Sequence, residues 1–210
     1  MKDWFTSLVR EIFNPNYALF SPSSNGRSNQ PNPSSYANKD HIGIFRFAGR
    51  IIARSIIEGI AVPAHFTRGF LKHILGIYHN TLADLEDADE GLHNTFVWML
   101  KNDVNSLEFT FTADNDDMGK HTEIDLKENG SNIPVTNHNK DEYVRLMIQH
   151  RLVSSISKQT KAFVDGFYSV IPLVEIQMFK PDELNLVICG IPEIDVEDFK
   201  KYCRYSRPYN

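Results

Sequence analysis

The side chains of this sequence that could carry out chemistry are two cysteines, Cys189 and Cys203, and eight histidines. A thiol acts as its thiolate, which calls for a cationic neighbourhood and a base within reach. Cys189 lies in LNLVICG, a continuous apolar run that reads as buried, and burial keeps a thiol protonated. Cys203 stands between Tyr202 and Arg204; the arginine favours the thiolate, but nothing nearby supplies a base. A zinc hydrolase pairs histidines one helical turn apart, whereas the nearest two here, His73 and His79, are six apart, and no C-x-x-C exists. G-x-G-x-x-G, G-x-x-x-x-G-K-[ST] and G-x-S-x-G are absent, which removes the usual support for nucleotide binding and serine hydrolysis. No pair of carboxylates sits on an apolar floor that would suit acid–base work. The sequence therefore assigns no catalytic residue and no metal ligands, and it implies no cofactor.

The bulk numbers narrow the class further. The 210 residues carry 22 Lys+Arg against 27 Asp+Glu, a formal charge of -5, which argues against a nucleic-acid partner. No apolar run reaches the roughly 18 residues of a membrane span. The opening MKDWFTSLVR is charged and has no signal-peptide core. Two cysteines suit a reducing compartment. The expectation is an intracellular protein, cytoplasmic or nuclear, with no membrane contact.

The elements that must position any site are mostly helical. DWFTSLVREIFN places Trp4, Leu8 and Ile12 at helical spacing and should stop near Asn14, ahead of Pro15. The pattern starts almost at Met1 with no cap, which suggests a piece of a longer chain. SPSSNGRSNQPNPSS, residues 21–35, reads as a long surface loop. Residues 40–57 form the strongest helix, with Ile42, Phe45, Ile52 and Ile56 on one face, Asp40 as N-cap and Gly59 as stop. Arg46, Arg50 and Arg54 make a stripe on it, read first as a solvated face and alternatively as an anion site. Helices over 66–75 and 89–101 follow. LEFTFTA then alternates with period two, and with HTEIDL it predicts a hairpin around an acidic tip bearing Asp114, Asp116 and Asp117. Asn139 and Glu142 resemble a capping box for a helix over 141–153, and 155–171 is helical again. Pro181-Asp-Glu opens another helix, and Asp195 caps a last short one. The fold class is mostly α (α+β) with one inserted hairpin.

Two of these helices are more apolar than one face can hold: Leu92, Phe96, Val97, Trp98, Met99 and Leu100 in the first, Tyr143, Val144, Leu146, Met147 and Ile148 in the second. Such helices either pack in a deep core or display a groove for a partner. The residues alone leave both open.

Nine segments follow one another along the chain: REIFNPNYALF (10–20), NPSS (32–35), FRFAGRIIARSI (45–56), HFTRGFLKHILG (65–76), DLEDAD (84–89) and WMLKND (98–103), then DLKENGSNIPVTNHNKDEYVRL (125–146), QTKAFVDGFYSVIP (159–172) and ELNLVICGIPEIDVEDFKKY (183–202). Read in this order, they resemble the N-terminal lobe of a HECT-type ubiquitin ligase domain. The wording of HFTRGFLKHILG is most similar to the branch of very large HECT ligases. The resemblance implies a large helical subdomain from 1–90 plus 172–210, and a smaller E2-binding subdomain over 91–171. It implies a ubiquitin-charged E2 enzyme, ubiquitin and the chain's own C-lobe as partners. In this family the C-lobe cysteine, in a Thr-Cys-Phe-Asn motif, accepts ubiquitin and passes it to a substrate lysine. That motif is missing here, so the resemblance implies a lobe without its catalytic half, inactive alone. The family's E2 groove falls on Leu92, Thr95, Phe96 and Met99, on strand positions Leu107 and Phe109, and on Tyr143 and Met147 of the facing helix. A ubiquitin-holding exosite of some members falls on Met118 and Arg27, both departures from the aromatic residue types used there. The rival readings are a non-catalytic interaction scaffold of the same fold, and a thiol enzyme using Cys203.

Overall fold

The protein is described by a computed structural model covering the backbone of residues 2–117 and 120–190, with side chains outside 115–121. Nine α-helices, four short 3-10 helices and two small antiparallel hairpins make up the regular structure of the described residues. The helices are α1 (Lys2–Ile12), α2 (His41–Ile57), α3 (Arg68–Ile74), α4 (Leu82–Ala88), α5 (Glu90–Lys101), α6 (Lys140–Leu152), α7 (Ser157–Tyr168), α8 (Leu173–Ile176) and α9 (Pro181–Cys189). The strands are β1 (Phe20–Pro22), β2 (Asn29–Pro31), β3 (Thr112–Asp117) and β4 (Lys120–Asp125). The mostly helical fold class expected from the sequence is the one observed.

Buried apolar side chains fall into two clusters. The first draws Phe5, Val9 and Ile12 from α1, Phe45 and Ile52 from α2, Phe70 and Ile74 from α3, Phe163 and Phe167 from α7, and Leu184 and Ile188 from α9. Phe20, Phe66, Phe70 and Phe163 interlock there, with centroids 5.1 to 6.5 Å apart, mostly edge-on or tilted as ring quadrupoles favour. The second cluster runs from Leu85 to Leu152 and is built by α4, α5, α6 and the chain around Phe111. Core membership thus puts α7 with the first cluster and α4 with the second.

The seam between the clusters is polar, and two buried groups bond across it. His73, buried in the first, donates its Nε2–H to the Leu152 carbonyl that ends α6, at 2.9 Å. Burial pushes this imidazole below its ordinary pKa and keeps it neutral. Asp84 of α4 is 1 % exposed and meets Lys72 of α3 at 2.5 Å while accepting from the Thr81 amide and hydroxyl. Burial alone would raise the Asp84 pKa, but the Lys72 and Thr81 bonds outweigh it and hold it below 3.8. A carboxylate lowered on folding contributes stability above its unfolded pKa and loses it as pH falls through the folded value. Asp84→Asn should therefore destabilise the protein by about 2 kcal/mol at neutral pH. Urea unfolding should show that penalty shrinking below pH 4, and a pH-independent difference would contradict the role assigned to the pair.

Several local expectations change. Residues 21–35 are not a loose loop: Phe20 pairs with Pro31 and Pro22 with Asn29 in a short ladder. Its serines and asparagines supply missing backbone partners, with Asn25 Oδ1 accepting from Arg27 N and Asn32 Oδ1 from Ser34 N. The buried Gln159 amide of α7 donates to the carbonyls of Asn32 and Pro33. The acidic residues expected at a hairpin tip lie within strand β3, where the register sets Asp114 opposite Glu123 and Asp117 opposite Lys120. Asp40 precedes α2 in the left-handed region, φ 62, and makes no capping bond. The Asn139–Glu142 capping box does not form: Asn139 bonds back to Thr136 N and the Pro134 carbonyl, and Glu142 pairs with Lys127 at 3.0 Å. The arginine stripe is a solvated face, with Arg54 paired to Glu58 and Arg50 reaching Ser169 at 3.3 Å. The helix expected after Asp195 lies outside the described residues.

Candidate protein-docking site on the second lobe

Helix α5 owes its orientation to Asp89, whose carboxylate accepts the Leu92 amide at 3.0 Å and also meets Arg151 of α6 at 3.2 Å. Its apolar face then points at α6. Phe96 and Met99, 2 % and 1 % exposed, sit in the second core with Tyr143. Tyr143 packs edge-on against Phe96 at 6.3 Å and against Phe111 at 5.6 Å, so it ties α6 both to α5 and to the strand segment. Burial, with the charge of Asp114 adding to it, pushes the Tyr143 phenol above its ordinary pKa.

By exposure, the eight residues expected to form one groove divide into a buried floor, a half-buried pair and an exposed rim. Phe96, Met99 and Tyr143 are floor, buried in the lobe's own packing. Leu92 and Met147 are half-buried and share the wall of a cavity of about 230 Å³ with Ala113, Asp114, His150 and Arg151. Thr95, Leu107 and Phe109 are exposed. Leu107 and Phe109 do not belong to strand β3, which starts at Thr112. Glu108 between them adopts φ 52, which breaks the alternation read from LEFTFTA. The Phe109 carbonyl is held by the Val135 amide at 2.7 Å, which fixes this segment against the chain leading into α6.

Sequence reasoning missed Phe111 as the keystone of the lobe. It is fully buried, its amide faces the Gly130 and Ile133 carbonyls, and Lys127 Nζ stands 3.7 Å over its ring. The signal was present in LEFTFTA, whose last aromatic is the one turned inward. Helix α4 was also missed, although Asp84 in its first turn reaches back to accept from the Thr81 amide and hydroxyl.

Other chemistry-bearing residues stay apart. Burial pushes the Cys189 thiol up to about 12, and its Sγ lies 3.5 Å from Asn185 Oδ1. Cys203 and Met118 lie outside the described residues. Arg27 is exposed on the wall of an open cavity of about 610 Å³ with His65, Arg68, Asp87 and Asp182. Among the described residues no group of three or more His, Cys, Asp or Glu could hold a metal ion, and no helix is long and apolar enough to cross a membrane.

Fold and site together define a mostly helical module with two buried cores, the second of which leaves Thr95, Leu107 and Phe109 exposed. A family model for the HECT-domain (ubiquitin-transferase) matches residues 6–210, and the chain belongs to that family. It is 42 % identical over 206 residues to the E3 ubiquitin-protein ligase TOM1-like of Neurospora crassa, covering 97 % of this chain and 5 % of that protein. It is 42 % identical over 211 residues to HACE1 of Homo sapiens, covering 100 % of this chain and 23 % of the relative. Against HUWE1 of Mus musculus it is 40 % identical over 210 residues, covering 99 % and 5 %. All three relatives are named as E3 ubiquitin-protein ligases. The chain thus spans less than a quarter of the length of these relatives.

Proposed function

We propose that this chain is the E2-recruiting lobe of a HECT-type ubiquitin ligase. The second lobe docks a ubiquitin-charged E2, and the ubiquitin passes to a cysteine of a C-lobe and from there to a substrate lysine. The observation that carries the reading is the exposed rim of Thr95, Leu107 and Phe109 above a packed floor of Phe96, Met99 and Tyr143, within a HECT family member. An apolar E2 loop residue laid on that rim meets a surface whose rigidity comes from the core beneath, so little ordering cost falls on binding. The interface is small and the affinity on the order of micromolar, as suits a partner that leaves after each transfer. The lobe contributes by raising the local concentration of charged E2 near the acceptor thiol. Cys189, with its thiol held protonated, is not that acceptor. The ubiquitin-holding exosite is not part of this reading.

The test is titration of a panel of E2 enzymes onto the chain and onto a Leu107→Ser, Phe109→Ser double variant. Both side chains are exposed, so melting should move by no more than about 1 °C while E2 affinity falls at least tenfold, as for truncated hot-spot residues. Unchanged affinity in a folded double variant would refute the assignment and favour the scaffold reading.

A further inference from the structure

Trp98 lies at the centre of the solvent face of α5, one turn beyond Thr95, and is 48 % exposed. The lobe's core closes without it, since Phe96 and Met99 on either side of it in the sequence supply the buried face. A single exposed apolar residue is ordinary. Here, however, Leu107 and Phe109, 37 % and 40 % exposed, follow within eleven residues, and two exposed acids, Asp103 and Glu108, stand between them. Asp103 is fixed as a carboxylate by the Asn105 amide at 2.9 Å and Asn137 Nδ2 at 2.8 Å, and these bonds hold its pKa below the ordinary value.

The charge of the whole lobe points the same way. Residues 81–152 hold fifteen acids and six Lys or Arg, a formal charge of -9, while the other 138 residues hold twelve acids and sixteen Lys or Arg, or +4. A net of -5 hides this segregation. An acidic lobe with an exposed indole attracts cations twice over, by its field and by the ring's negative face.

We infer that Trp98 is a specificity-determining contact that selects E2 enzymes presenting arginine or lysine on their docking face. This rests on the docking role proposed above and adds to it the chemistry of the partner. The lobe's field steers a basic E2 toward the rim, and stacking of a guanidinium or ammonium on the indole then slows its departure.

The experiment compares E2 enzymes with basic and with acidic docking faces against the wild-type chain, Trp98→Ala and Trp98→Phe. Basic E2 enzymes should bind at least tenfold more tightly than acidic ones, and raising salt from about 50 to about 500 mM should weaken them about tenfold. Trp98→Ala should weaken binding at least tenfold with an unchanged melting temperature, and Trp98→Phe, which keeps an aromatic face, by roughly threefold. Indifference to docking-face charge, to salt or to Trp98→Ala would overturn the inference. If Trp98→Ala is silent while the Leu107→Ser, Phe109→Ser variant loses the E2, the docking role stands and the selection by Trp98 falls. If no E2 binds the wild-type chain, both fall.

Discussion

Gly166→Ala should lower the melting temperature by roughly 6–12 °C, the shift expected for a loss of about 3 kcal/mol in a chain of this size. Helices α2 and α7 make the most extensive packing contact of the first lobe, and they approach backbone to backbone at two reciprocal points. A Cβ on Gly166 would lie well inside 3.0 Å of the Arg46 carbonyl of α2, and one on Gly49 would lie equally close to the Phe163 carbonyl of α7. The obstacle in each case is main chain, which cannot turn aside as a side-chain tip can. Relief requires the helices to separate, which opens voids around Phe163, Phe167, Phe45 and Ile52. Gly49→Ala should behave alike. The control is Gly91→Ala in the first turn of α5, where the new Cβ meets Asp89 Oδ1 at an ordinary 3.7 Å. There the lower entropy of the unfolded chain should stabilise the protein by about 0.5 kcal/mol. Calorimetry of the three variants decides, and a Gly166→Ala melting point within about 2 °C of wild type would disprove the close crossing.

The pairing of Gly49 with Gly166 also marks what a sequence can and cannot convey. Helical spacing in 40–57 and 155–171 was readable because apolar residues recur every three or four positions, and that period follows from the geometry of the helix alone. That two glycines 117 positions apart each meet the backbone of the other's helix has no local signature. The same holds for the polar stretches. Residues 21–35 look like a loop because Ser, Asn and Pro favour turns, yet there they close a ladder whose partners are distant in sequence, His65 from the chain before α3, Asp87 from α4 and Gln159 from α7. The candidate site shows the limit most directly. The surplus of apolar residues in α5 and α6 raised core or groove as alternatives, and the structure divides them residue by residue. Period and composition report that a side chain is apolar, while only the packing of α5 on α6 says which of Phe96, Trp98 and Met99 face inward.

That division reverses the experiment one would choose from the groove positions alone. Phe96→Ala should destabilise the protein by about 3–5 kcal/mol, because it removes a buried ring and leaves a cavity in the core it shares with Met99, Tyr143 and Val144. The Tyr143 ring loses its edge-on partner at 6.3 Å, and with it a link between α5 and α6. The damage should be local first: amides of 92–101 and 143–152 should exchange faster with solvent deuterium, while those of α2 and α7, in the other core, change little. E2 binding should then fall only in proportion to the unfolded fraction and recover on cooling toward the temperature of maximum stability. The Leu107→Ser, Phe109→Ser variant, by contrast, should lose the E2 at every temperature with its exchange pattern intact. Weakened E2 binding by Phe96→Ala without any change in exchange or melting would mean that the ring is itself a contact, and the floor-and-rim division would have to be withdrawn.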